Sequence, residues 1–147
     1  MPVLLDTDHL SVLQWQEQPA CDRLLARLDQ LPPDDIATSI VSFHEQVQGW
    51  QAYLSRTRKP SQVVLAYAKL EALWRWFLKM NVLSFSDEAQ AQFTNLRRQC
   101  PRLQTMDLRI ASIALVTHST LLSRNLRDFR RVPGLTVEDW TRGELEE

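Results

Sequence analysis

Apolar residues follow two rhythms along this chain. Short unbroken apolar runs alternate with longer stretches in which apolar residues recur every three or four positions. Val3-Leu4-Leu5 is the first such run. It reads as a strand buried on both faces, and it ends in Asp6-Thr7-Asp8. Thr7 or Asp8 can cap a short helix carrying Leu10, Val12 and Leu13. Pro19 starts a second helix with Leu24, Leu25, Leu28 and Leu31 along one face. Pro32-Pro33-Asp34-Asp35 is a break, and Ile36-Ala37-Thr38 is a brief strand after it.

A long helix then runs from Ser39 or Ser42 to about Tyr53 or Leu54, with Ser42 and Glu45 spaced as a capping box. Residues 56–60 form a basic turn. Ser61 caps the next helix, whose apolar positions are 64, 65, 68, 70, 73, 74, 77 and 78. Residues 81–85 read as a strand, Ser86 caps a helix from Asp87 to about Arg98, and Pro101 ends that stretch. Met106-Asp107 opens a helix that is apolar nearly all round, so it is expected to be buried on most sides. Thr120-Leu121-Leu122 is a strand followed by a turn at Ser123-Arg124-Asn125, and Leu135-Thr136-Val137 is the last strand, after a turn at Pro133-Gly134. No internal repeat interrupts the series. Short apolar strands alternating with helices predict an α/β fold: a three-layer α/β/α sandwich around a central, mostly parallel sheet. Ligands in such folds bind beyond the C-terminal ends of the strands. Asp6 and Asn125 both lie just past one.

The length of 147 residues suits one domain spanning 1–147, and a hydrophobic fraction of 44% argues against global disorder. A net charge of −1 neither demands nor excludes a nucleic-acid partner, but its distribution is uneven. Residues 97–142 hold nine arginines against four acids, a net of +5, which leaves −6 for the rest. Arginine outnumbers lysine 14 to 3, and arginine is the better bidentate phosphate ligand. The other reading of these arginines is a set of solvated helix faces. Cys21 and Cys100 form no CxxC pair and read as reduced thiols of a cytoplasmic protein. The N-terminus lacks the pattern of a secretory signal, and no run approaches the roughly 20 apolar residues of a membrane span, so no membrane partner is expected.

Four acids stand out chemically. Asp6 ends the first strand, with Asp8 close behind. Glu45 sits near the start of a mostly apolar helix, Asp107 opens the most apolar one, and Asp128 follows a buried strand. Hard divalent cations prefer carboxylate oxygens, and carboxylates held together repel unless a cation neutralises them. Each acid also has a purely structural reading. Asp107 suits the positive end of a helix dipole. Glu45 can partner Ser42 in the capping box, Asp128 can cap a turn or pair with Arg124 or Arg131, and Asp6 can hold backbone amides.

The ordered set of motifs sharpens this. Val3-Leu4-Leu5-Asp6-Thr7-Asp8, Ser39-Ile40-Val41-Ser42-Phe43-His44-Glu45, Met106-Asp107-Leu108-Arg109-Ile110-Ala111 and Leu122-Ser123-Arg124-Asn125-Leu126-Arg127-Asp128-Phe129 occur in that order, with Val132-Pro133-Gly134-Leu135 behind them. In order and spacing they resemble the PIN-domain ribonucleases, in particular the VapC toxins of bacterial toxin–antitoxin pairs. The resemblance covers nearly the whole chain. It implies that Asp6, Glu45, Asp107 and Asp128 form a catalytic quartet holding Mg²⁺ or Mn²⁺. Ser123 stands where the family often has Thr, and the hydroxyl is kept. Asn125 would orient the quartet, and Asp8, Arg109, Arg124 and Arg127 would orient or bind substrate.

The implied reaction is metal-dependent hydrolysis of RNA. The implied partners are a small antitoxin and a second copy of the chain in a homodimer. Residues 46–80 match only in helical character and are expected to be a helical hairpin. Three alternatives stay open: a non-catalytic nucleic-acid-binding module of the same fold, a nuclease acting on DNA, and a phosphotransfer protein using Asp6-x-Asp8. His9, His44 and His118 lack zinc-ligand spacing and read as surface or core residues. Trp74 and Trp76 point different ways on a helix, so that one is expected in the core and the other at an interface with Trp50, Tyr53 or Tyr67.

Overall fold

A computed structural model describes residues 1–143, so the last four positions of the expected 1–147 domain lie outside the described residues. Strand β1 (Val3–Leu5) leads into helices α1 (Thr7–Trp15) and α2 (Ala20–Leu28), then β2 (Ile36–Ser39). The long helices α3 (Ile40–Arg56) and α4 (Pro60–Leu78) follow one another and pack together. After them come β3 (Val82–Leu83), α5 (Asp87–Gln99), α6 (Thr105–Val116), β4 (Thr120–Leu122), the four-residue α7 (Leu126–Phe129) and β5 (Val137–Glu138).

The strands lie in the order β3-β2-β1-β4-β5, and every pairing between them is parallel. The expected mostly parallel sheet is therefore parallel throughout the described residues. Beyond β1 the winding proceeds to one side through β2 and β3, then resumes on the other side with β4 and β5. The reversal falls between β1 and β4, where a crevice opens in folds of this kind. The register pairs Leu5 with Leu122, and the Asp6 amide donates to the Leu122 carbonyl at 2.9 Å.

Two cores cover the sheet. Leu4 and Leu121 face the layer of α5 and α6, where Leu108, Ile110, Ala111, Ile113 and Ala114 are all fully buried. Val3, Leu5 and Leu122 face the opposite layer, with Leu10, Leu24, Leu73 and Phe77 from α1, α2 and α4. This alternation along an all-apolar strand is why Val3-Leu4-Leu5 carries no polar face. It also explains the apolar character of α6, which is sandwiched between the sheet and α5.

Helix boundaries correct several expectations. Asp6, not Thr7 or Asp8, caps α1, accepting from the Thr7 amide at 2.8 Å. Ser39 caps α3 by accepting from the Ser42 amide at 3.1 Å, so Ser42 receives the cap rather than supplying it, and no capping box with Glu45 forms. Helix α4 starts at Pro60, whose missing N–H costs nothing at a first turn, and Ser61 lies inside it rather than capping it. Ser86 caps α5 as expected. The strand expected over 81–85 is only Val82–Leu83, and the last strand is displaced to Val137–Glu138. Gly134 takes the positive φ of 78° that the turn before it requires.

Candidate active site

The C-terminal edge of β1 and β4 gathers several polar side chains, two of them buried. Asp6 is buried at 6% exposure, and Ser123, directly after β4, is fully buried. The Ser123 hydroxyl stands 2.7 Å from Asp6 Oδ2 and 3.2 Å from Asp8 Oδ2. The Arg124 backbone amide donates to Asp8 Oδ2 at 3.0 Å, and the Asn125 amide donates to Ser123 Oγ at 3.0 Å. One hydroxyl thus ties the ends of two neighbouring strands together. From α3, Glu45 reaches the same edge, where its Oε1 accepts from the Thr7 hydroxyl at 2.8 Å. From α7, Asp128 accepts from Asn125 Nδ2 at 3.1 Å. Asp107 approaches from the first turn of α6, half-buried.

Electrostatics ties these groups into one site. Burial, then the charge of Asp8, drives the Asp6 carboxyl well above the ordinary carboxylate range; Glu45 adds to the rise, while the Ser123 hydroxyl and the Thr7 amide oppose it. Asp107 is pushed up to about 6 by loss of solvent and then by the charges of Glu45, Asp128 and Asp8. Acids from β1, α1, α3, α6 and α7 therefore share one field. Among the described residues no lysine or arginine forms an ion pair with Asp6, Glu45, Asp107 or Asp128. Nor does any group of three or more His, Cys, Asp and Glu side chains among them close into a ready metal cage. Asp6, Glu45 and Asp128 instead lean on a neighbouring hydroxyl, amide or carboxamide.

Several side chains resolve differently from their structural readings. Asp128 is held by Asn125 rather than by Arg124 or Arg131, and Glu45 is held by Thr7 rather than by Ser42. Asp8 has each carboxylate oxygen engaged, Oδ1 by His9 and Oδ2 by Ser123 and the Arg124 amide. The arginines do not converge. Arg109 lies over the Phe93 ring at 5.7 Å, and its Nη1 is 3.8 Å from Met106 Sδ. Arg124 brings its backbone to the site but sends its guanidinium to Thr141 and Glu17. Arg127 is exposed on α7 next to Asp128. Beyond α7, Arg130 lines a polar pocket of about 370 Å³ with Arg27 and Arg142. His44 and His118 are exposed, whereas His9 is fully buried against Asp8. Thr7 and His9 are the site neighbours that sequence reasoning passed over. Their only signal was adjacency to Asp6 and Asp8.

Residues 3–135 match the PIN domain family. The chain belongs to the PIN-domain family. Within it, a 66-residue stretch is 29% identical to Ribonuclease VapC2 of Rickettsia felis, covering 42% of this chain and 49% of that protein. The match thus spans about half the length of that curated relative. The PIN fold here superposes on the crystal structure of VapBC2 from Rickettsia felis bound to a DNA fragment from its promoter, with a TM-score of 0.71, 24% identity and coverage of 95% and 99% of the two chains. It also superposes on VapBC-1 from nontypeable Haemophilus influenzae with a TM-score of 0.71, 23% identity and coverage of 97% and 100%. At these identities the superpositions speak for the PIN fold.

Proposed function

We propose that this PIN domain is a metal-dependent endoribonuclease, the toxin component of a VapBC-type toxin–antitoxin pair. The observation that carries this reading is the set of buried and half-buried, mutually repelling carboxyls, which no lysine or arginine among the described residues pairs with. A donor set made only of carboxylate oxygens fits a hard divalent ion, Mg²⁺ or Mn²⁺. Asp6, Glu45, Asp107 and Asp128 are the residues that would hold it. When bound, such an ion supplies an activated water at neutral pH and offsets charge growing on the phosphate. The protein's own part is positional. Ser123 and the Thr7 amide aim Asp6, Thr7 aims Glu45, and Asn125 aims Asp128. Exposed Arg127, next to Asp128 on α7, offers phosphate-binding charge beside the acids. Water attack in line with the leaving oxygen leaves a 5′-phosphate and a 3′-hydroxyl.

An antitoxin partner is supported by the VapBC character of the structural relatives and by an open groove of about 440 Å³ between α1, α3 and α4. Trp15, Trp50, Tyr53 and Trp76 line it, a composition typical of protein-recognition surfaces. Homodimerisation is supported by the outer face of α4, where Val64, Tyr67, Trp74 and Leu78 are all more than half exposed along one stripe. No helix among the described residues is long and apolar enough to cross a membrane, and Cys21 and Cys100 are free thiols, as a cytoplasmic toxin would have them.

The test is cleavage of total cellular RNA by the purified protein with Mg²⁺ or Mn²⁺, mapped at nucleotide resolution, with single-stranded RNA, tRNA and DNA as separate substrates. Cleavage of RNA that chelator stops and that Asp6→Asn and Asp107→Asn abolish is the expected result. Binding without cleavage would mean a quiet module, preferential cutting of DNA would reassign the substrate, and an active Asp107→Asn protein would remove that residue from the site.

A further inference from the structure

Among the described residues, His9 is a fully buried titratable side chain that the reaction above leaves unused. It sits one turn into α1, wedged between the site and the segment that follows β5. Its Nδ1 is 2.7 Å from Asp8 Oδ1. The Trp140 backbone amide donates to its Nε2 at 3.2 Å. That amide hydrogen occupies the Nε2 lone pair, so the ring proton stands on Nδ1 and is donated to Asp8. Asp139 Oδ1 is a further 3.6 Å from Nε2, and its carboxylate is directed elsewhere, accepting from the Thr141 amide at 2.9 Å and pairing with Arg142 Nε at 3.2 Å.

The consequence follows from what Asp8 does next. With Oδ1 held by His9, Asp8 turns Oδ2 toward the Ser123 hydroxyl and the Arg124 amide. Ser123 in turn places its hydroxyl on Asp6 Oδ2. Polar contacts therefore link the backbone of Trp140 through His9, Asp8 and Ser123 to Asp6, with the single Ser123 hydroxyl hydrogen shared between Asp6 Oδ2 at 2.7 Å and Asp8 Oδ2 at 3.2 Å. Outer partners that orient a site's carboxylates typically contribute on the order of 10- to 100-fold in activity.

We propose that His9 is a positioning residue for the acidic site, fixing Asp8 through a single tautomer and so setting the orientation of Ser123 and Asp6. The proposal rests on the nuclease reading for its kinetic consequence, and its structural half stands apart from it. The variants separate the two ring nitrogens. Asn at position 9 can donate to Asp8 from the place of Nδ1. Gln can reach the Trp140 amide from the place of Nε2 but offers Asp8 nothing. Leu keeps bulk and loses both.

The experiment uses the full chain with a fluorogenic single-stranded RNA and Mn²⁺, together with imidazole ¹⁵N chemical shifts of the metal-free protein. The shifts are expected to report protonated Nδ1 and bare Nε2. The value of kcat is expected to fall about 10- to 100-fold in His9→Gln and His9→Leu, with KM for RNA changed far less, and to be largely restored in His9→Asn. The opposite tautomer overturns the proposal. So does a folded His9→Gln protein with wild-type kcat, or one in which His9→Asn and His9→Gln lose kcat equally and in step with melting temperature. If His9→Leu fails to fold, the Asn and Gln pair still decides. A wild-type protein that cuts no RNA with Mn²⁺ sinks the nuclease reading instead, and the ¹⁵N shifts then judge the tautomer on their own.

Discussion

Asp107 shows how a carboxyl held among other carboxyls can weaken a fold. Its folded pKa of about 6 lies above the ordinary 3.8, so the metal-free folded state holds this proton more tightly than the unfolded chain. The contribution is fully present below about 3.8 and is lost as pH rises through about 6. The metal-free protein should therefore lose stability from this group between those values. The difference sets a ceiling of about 3 kcal/mol at about 1.4 kcal/mol per pH unit, and solvent access to a half-exposed carboxyl reduces that to about 1 kcal/mol. Asp107→Asn is accordingly expected to melt higher than wild type by a few degrees at pH 7.5 in EDTA, with the gap closing near pH 4. Thermal denaturation at the two pH values checks this, and a variant that melts lower at pH 7.5 would contradict the repulsion argument. A metal held as proposed would compete with the same proton, so on that reading Mn²⁺ should raise the wild-type melting temperature more at pH 7.5 than at pH 5 and raise that of Asp107→Asn little at either.

At the scale of elements, the site depends on where helices begin. Helix α3 carries Glu45 in its second turn, and its start is set by the Ser39 cap at the end of β2. Because Leu4 pairs with Ala37, the continuing register brings Ser39 level with Asp6. Removing the cap should loosen the turn that delivers Glu45 to Thr7. Ser39→Ala is expected to cost about 1 kcal/mol, whereas Ser61→Ala, inside the first turn of α4 and exposed, should cost less than about 0.5 kcal/mol. Urea titration of the two variants separates them. Equal losses would restore Ser61 as a cap. The same logic applies to α7, a single turn whose Asn125 N-terminus presents Asp128. Too short to show helical periodicity, it gave no signal in the sequence beyond the Asn-Leu-Arg-Asp spacing.

For the whole molecule, the two cores hold the sheet while the site lies at its rim. Ile113 is fully buried in the middle of α6, two turns from Asp107. Ile113→Ala removes apolar bulk from a packed layer and is expected to cost about 2–5 kcal/mol. Because that cavity is remote from the rim, cleavage per folded molecule at low temperature should stay near wild type, in contrast to Asp107→Asn in the same helix. Denaturant midpoints together with initial rates make the comparison. A rate that collapses while the protein remains folded would show that core packing and site geometry are coupled more tightly than the layered architecture implies.

The chain's local pattern was enough, by itself, to specify β1, β4, the buried α6, the Ser86 cap and a three-layer sandwich around a mostly parallel sheet, because strand and helix rhythms are local properties read within a few turns. The acids at the ends of those elements were legible for the same reason. Tertiary structure alone decided their partners: Thr7 and Glu45 are 38 residues apart, Ser123 and Asp6 are 117 apart, and Trp140 and His9 are 131 apart. It decided that Asp8 accepts from the Arg124 amide, and that the Arg109 and Arg124 guanidiniums turn to Phe93, Thr141 and Glu17. Those outcomes depend on strand order and register, which bring distant backbone positions within hydrogen-bond reach, and no window of sequence contains both ends of such a bond.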